Sequence, residues 1–199
     1  LSNKPSRNNY LLAKNKPSKL SFIPQEVDYK DRQTANDGFY PYPIIKEELN
    51  RDNGVSFISK PFKKAIEISG SFEGEIKTSI SKKDMDISIA LYELMPNGKY
   101  FQLSYFVGRA SYAKNKEKRN LLKPNTIETI PISNTRLVSR RLSKESRLII
   151  VLNVIKTSAY QINYGTGKDV SDETIEDAKE TLKVKWFNNS YIKIPVWKE

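Results

Sequence analysis

The sequence has no histidine and no cysteine in 199 residues. Without cysteine, disulfides, zinc–thiolate sites and thiol catalysis are excluded together. The compartment is not fixed by this, because a cysteine-free domain suits oxidising and reducing spaces alike. Without histidine, the usual general base near neutral pH and the commonest transition-metal ligand are missing. No serine here sits in a Gly-x-Ser-x-Gly elbow, and none has an imidazole to activate it. The chain alone therefore lacks the residues of a triad enzyme; no catalytic, metal-binding or cofactor-binding residue is expected. Long apolar runs are also missing. The longest, Leu148-Ile149-Ile150-Val151-Leu152, is strand-sized, against the ~20 residues of a membrane helix, so no membrane partner is expected. The chain starts at Leu1 and shows no signal peptide. Its N-terminus reads as cut, which leaves localisation unknown: a bacterial protein, cytoplasmic or exported.

What is present is charge and aromatic surface. Lys and Arg total 34 and Asp and Glu 23, a net charge of +11. These charges are spread along the chain, as on a solvated surface. The densest stretch, Lys114-Asn115-Lys116-Glu117-Lys118-Arg119, has neither the Gly-aromatic signature of an RNA-binding sheet nor a helix-turn-helix pattern. It reads as a loop, and no nucleic-acid partner is expected. The 11 Tyr and 8 Phe are enough to build a core. Residues 1–54 read as an irregular lead-in, punctuated by Pro and Gly, with one short strand at 19–23. The run Gly38-Phe39-Tyr40-Pro41-Tyr42-Pro43 is too aromatic for a free linker. Phe39, Tyr40 and Tyr42 are expected to dock on a neighbouring surface.

From Val55 the hydrophobic period becomes two, as in strands with one buried and one wet face. Ile66 and Ile68 alternate with Glu67 and Ser69; Ile76, Thr78 and Ile80 with Glu75, Lys77 and Ser79; Met85, Ile87, Ile89 and Leu91 with Asp84, Asp86 and Ser88. Pro96-Asn97-Gly98 predicts a hairpin turn centred on Asn-Gly. A long strand is expected over 100–112, with Phe101, Leu103, Tyr105 and Val107 on one face. The unbroken apolar run 147–155 predicts a strand buried on both faces. Residues 171–179 are the helical candidate, capped by Ser171 or Asp172. The chain should close with a hairpin around Asn188-Asn189-Ser190. The pattern as a whole predicts an all-β fold, a jelly-roll β-sandwich of galactose-binding-like type, over 55–199.

Few residues carry candidate chemistry. Asp84, Asp86 and Glu93 could act as paired acids, but neighbouring cations favour structural pairing. Asn163-Tyr164-Gly165-Thr166-Gly167-Lys168 looks like a phosphate loop yet lacks the full spacing and the long helix, so it reads as a Gly-rich connection. Tyr160, Tyr164 and Tyr191 could stack on a sugar or a peptide ring, or line an interface.

The order of segments resembles the C-terminal domain of the hydrolase family that holds X-Pro dipeptidyl peptidases, cocaine esterase and α-amino-acid ester hydrolases (the CocE/NonD type). The resemblance is carried by Val55-Ser56-Phe57-Ile58-Ser59-Lys60-Pro61-Phe62, by Ile66-Glu67-Ile68-Ser69-Gly70, and by Asp84-Met85-Asp86-Ile87 running into Pro96-Asn97-Gly98. Arg109-Ala110-Ser111-Tyr112 is similar to the family's Arg-x-x-Tyr. The resemblance implies a non-catalytic sandwich packed on an upstream α/β-hydrolase domain of the same polypeptide, which would hold the Ser, Asp and His. It implies peptides with a penultimate Pro, or acyl esters and amides, as substrates of the whole enzyme. Two other readings stay open: a stand-alone carbohydrate-binding module using the late tyrosines, and nucleic-acid binding, which rests on charge alone. Removal from its neighbour should leave the isolated chain prone to self-associate as a homo-oligomer.

Overall fold

Alternation of period two sets the elements of this chain, and the places where it fails set the architecture. A computed structural model describes residues 5–6, 9–32, 42–50, 54–157 and 159–197, with side chains from Asn9 onward. The strands, in chain order, are β1 (Pro5–Ser6), β2 (Asn9–Leu11), β3 (Phe22–Val27), β4 (Ile45–Lys46), β5 (Gly54–Ile58), β6 (Ile66–Gly70), β7 (Glu73–Ile80) and β8 (Asp86–Leu94). They continue with β9 (Tyr100–Arg109), β10 (Glu128–Ile132), β11 (Val138–Leu142), β12 (Arg147–Val154), β13 (Leu182–Phe187), β14 (Tyr191–Lys193) and β15 (Val196–Trp197).

The strands form an all-β sandwich. A seven-stranded sheet runs β1-β2-β5-β12-β8-β9-β4 and a second runs β10-β7-β13-β3, with β14 also on β7. A small third sheet, β11-β6-β15, completes the structure. All pairings are antiparallel except β2 on β5. The core lies between the sheets, where Leu91, Ile150 and Leu152 of one meet Ile80, Val184 and Trp186 of the other. Buried Trp186 satisfies its indole N–H on Gln25 Oε1 at 2.6 Å, as a buried ring with a polar handle must.

Several expectations need correction. Residues 1–54 are not irregular throughout: β2, β3 and β4 join both main sheets, and Ile23, Val27 and Tyr29 belong to the core. The strand expected at 19–23 is shifted to Phe22–Val27, where Ile23 and Val27 alternate with exposed Pro24 and Glu26. The helix expected at 171–179 is absent; two 3-10 turns, Val170–Asp172 and Ile175–Asp177, stand there. Side-chain caps explain the break: Asp169 accepts from the Ser171 N–H, and Asp177 reaches back to the Thr174 N–H, so short-range bonds replace the helical ladder.

The strand at 100–112 ends at Arg109 and gives way to a 3-10 turn, Ala110–Tyr112. A register shift between Leu91 and Tyr92 opposes β9. It moves the core face from Phe101 and Leu103 to Phe106, leaving Val107 exposed. One extra residue flips every later side chain, which alternation alone does not reveal. The hairpin at Pro96-Asn97-Gly98 stands, but Gly98 N–H bonds to Met95 O and Gly98 alone has positive φ, +84°. Pro96, with φ fixed by its ring, takes the first central position of an ordinary turn, and Gly98 takes the left-handed position after it. The closing hairpin does not form. After β13 the chain crosses to pair β14 with β7 and β15 with β6. The Asn188 amide, spent on Lys19 O, Ser21 Oγ and the Ser21 N–H, anchors the turn to the lead-in instead.

Candidate functional site

Polar groups with chemical potential gather where the β7–β8 connection, the turn Ala110–Tyr112 and the segment 163–177 meet. Asp84, fully buried, precedes β8. Its carboxylate accepts from Met85 N–H at 2.9 Å, Ser111 N–H at 3.0 Å, Ser111 Oγ at 2.6 Å and Arg119 Nη2 at 3.0 Å. A buried carboxylate persists only with such a set of donors. Arg119 is itself anchored on Lys168 O at 2.6 Å, so the basic loop is tied to the sandwich by its last residue.

Two residues on, Asp86 takes a bidentate bond from Arg109 (2.8 and 3.0 Å) and a third from Asn163 Nδ2 at 2.9 Å. The bond to Asp86 raises the Arg109 pKa. Glu93, on the same strand, pairs with Arg140 at 2.7 Å and accepts from Ser146 Oγ at 2.7 Å. All three acids therefore have saturated structural pairings; none faces a cleft as half of a catalytic pair.

The 163–168 loop packs on this clasp. Glu173 accepts from Tyr164 N–H at 2.7 Å, Thr166 N–H at 2.8 Å and the Thr166 hydroxyl. Lys82 donates to Tyr164 O at 3.0 Å, and burial lowers its pKa. The Tyr29 hydroxyl is buried with no hydrogen-bond partner among the described residues. Burial first, then the charges of Asp86, Asp84 and Glu173, push it well above the ordinary tyrosine value.

The six candidate aromatics separate. Tyr164 is turned into the core, edge-on to Tyr29 with ring centroids 5.6 Å apart. Tyr160 and Tyr191 are exposed, and Tyr191 lies on β14 with Lys193 Nζ 5.7 Å from its ring. Tyr42 is 84% exposed; Phe39 and Tyr40 lie outside the described residues. Sequence reasoning missed Ser111, Arg119, Glu173 and Tyr29 as members of the polar cluster. The one available signal was the Arg109-Ala110-Ser111 step; the others are joined only by tertiary contact.

Beside the clasp, Ala110, Ser111, Lys114, Leu122, Glu128 and Ile130 line a cavity of about 50 Å³, room for a few waters and far below a substrate pocket. Among the described residues no group of three His, Cys, Asp or Glu could hold a metal, and no helix is long and apolar enough to cross a membrane. The cluster can fix loops; no nucleophile–base pair is present in it.

The sequence profile of the X-Pro dipeptidyl-peptidase C-terminal non-catalytic domain matches residues 3–174. The chain belongs to this family. No individual curated protein matches it. Among solved structures it is similar to an aminopeptidase from a marine sediment archaeon, Thaumarchaeota archaeon, with a TM-score of 0.79 at 15% identity, covering 92% of this chain and 34% of that one. An α-amino acid ester hydrolase gives 0.76 at 16% identity, covering 88% and 32%. A CocE/NonD family hydrolase from Staphylococcus aureus gives 0.55 at 14%, covering 91% and 37%. The chain thus spans about a third of the length of these structures. As a family member it is a non-catalytic C-terminal domain, in keeping with an all-β sandwich in which Asp84, Asp86 and Glu93 are engaged in structural pairings.

Proposed function

We propose that this domain is the C-terminal module of a serine hydrolase, packed on an α/β-hydrolase domain of the same polypeptide and helping to wall its substrate cleft. The match of the non-catalytic domain family over residues 3–174 carries the reading. The similar structures, an aminopeptidase, an α-amino acid ester hydrolase and a CocE/NonD family hydrolase, each about three times as long, support it. Peptides with a penultimate Pro, or acyl esters and amides, are the substrates of the whole enzyme. The contact with the catalytic domain uses the lead-in aromatics. Tyr42, Ile44 and Ile45 stand exposed at the β4 edge of the large sheet, with Phe39 and Tyr40 just before them in sequence; Tyr160 and Tyr191 are further contact candidates.

The test is enzymatic and genetic together. The chain alone should give no turnover on chromogenic esters or X-Pro anilides, and the reading frame upstream of Leu1 should encode a Gly-x-Ser-x-Gly elbow followed by Asp and His. Turnover that survives repurification, or an upstream frame without a hydrolase, overturns the reading. The uncovered edge should also make the isolated chain self-associate, as sedimentation at several concentrations would show, and Tyr42→Ser should weaken that association. A clean monomer across the range removes the docking role of this edge.

A further inference from the structure

The loop that looks like a phosphate loop in sequence is used by the fold to hold an anion, and the anion is the chain's own. Tyr164 N–H and Thr166 N–H donate to the two carboxylate oxygens of Glu173 at 2.7 and 2.8 Å, and the Thr166 hydroxyl donates to the same oxygen as its own N–H. The two N–H groups converge because the glycine between them, Gly165, has φ +78°, the left-handed step that turns successive amides into a concave anion nest. A side chain there would also collide with the Asp84 carbonyl, 2.6 Å from an added Cβ. Lys82 is held beside the loop by Tyr164 O, and Glu173 is the strongest negative charge acting on its ammonium. Glu173 is 9% exposed, so the cradle is almost closed to water and its donors would be left unsatisfied without an acceptor.

We propose that the 163–168 turn is a carboxylate-binding site in its own right, kept occupied by Glu173, and that it accepts a free carboxylate of matching size once that side chain is removed. Two oxygens share three donors, one taking a single N–H and the other an N–H and a hydroxyl. That is the requirement of a planar carboxylate; a tetrahedral phosphate would bring further charged oxygens into a closed space without donors.

Glu173→Ala removes the atoms of acetate, and thermal unfolding of the 199-residue chain reads the consequence. The substitution should lower Tm by roughly 5–10 °C. Acetate should recover part of that loss with the logarithmic concentration dependence of a bound ligand, beyond chloride at equal ionic strength. Wild type and Glu173→Gln, whose cradles are filled, should show no acetate-specific shift, and Thr166→Val in the Ala background should abolish the recovery. If Glu173→Ala is unfolded without additive, acetate during refolding should restore folded signal where chloride does not. Recovery no greater than with chloride, or equal in wild type, overturns the site; phosphate acting as well as acetate overturns its carboxylate selectivity.

Discussion

The two outer faces of the sandwich come from neighbouring sheets of one fold and are built in opposite ways. On the second sheet, Lys183 and Lys185 of β13 point outward beside Pro24 and Glu26 of β3, and the face is wet. On the large sheet, Tyr92 and Ala90 of β8 stand opposite Ile149 and Val151 of β12. All four are buried, with Leu49, Ile58, Leu94 and Tyr100 packed against them. All three are interior strands of their sheets; the difference is that β12 and β8 are covered on both faces, whereas β13 is covered on one. Leu49 belongs to the lead-in segment, so the segment helps close the face next to the edge where Tyr42, Ile44 and Ile45 stay exposed.

Exchanging charges between the faces should break this contrast most strongly. Ile149 is fully buried, and Ile149→Lys puts an unpaired ammonium into an apolar cluster, at a cost of several kcal/mol; loss of the cooperative urea transition is expected. Lys185→Ile, on the wet face, should shift stability by no more than about 0.5 kcal/mol. Similar midpoints for the two variants would show that the outer cluster is open to water.

A finer version compares the two sides of one strand. Ile149 points outward and Ile150 inward to the main core, yet both are buried. Truncation to Ala should cost about 2–5 kcal/mol at each, and the two values should agree. A cost below ~1 kcal/mol at Ile149 alone would mean that its cover yields easily.

These strands also show what the sequence could tell. The unbroken run 147–155 announced a doubly covered strand, and β12 is one, because continuous apolarity has no other use at strand length. In β13, Leu182, Val184 and Trp186 are buried and alternate with exposed Lys183 and Lys185, the period-two pattern of a one-sided strand. What stayed hidden was the partner of each strand. β14 leaves β13 for β7, where Ser190 Oγ accepts from Lys77 N–H and Asn188 holds the preceding turn on Lys19 O; β2 joins β5 in parallel, where Ser56 Oγ donates to Asn9 Oδ1. The acidic helix signal at 171–179 misled because the same residues serve as caps and as the cradle's anion. The polar cluster was half legible: Asp84, Asp86 and the Arg109-Ala110-Ser111 step stood out, but the pairing of Arg109 with Asp86 and of Arg119 with Asp84 did not.

The smallest expected effect lies on the wet face itself. Register places Lys193 of β14 opposite Glu73 of β7, with Nζ 3.1 Å from Oε1 and both side chains more than 60% exposed. The hydrogen bond to Glu73, with its charge, raises the Lys193 pKa above the ordinary 10.5. The folded state therefore holds this proton more tightly than the unfolded chain. The pair's contribution is fully present below about pH 10.5 and is lost as pH rises through the raised folded value. Exposure and salt keep it small. In denaturant titrations of wild type, Lys193→Ala, Glu73→Ala and the double variant, the coupling should be measurable at pH 7 in dilute buffer, smaller at pH 11, and near zero in about 1 M salt. Coupling that survives high salt and high pH would have to come from the lysine stem packing near the Tyr191 ring. The second sheet would then owe its outer order to apolar contact, as the large sheet does, and the contrast between the faces would narrow to a difference in coverage alone.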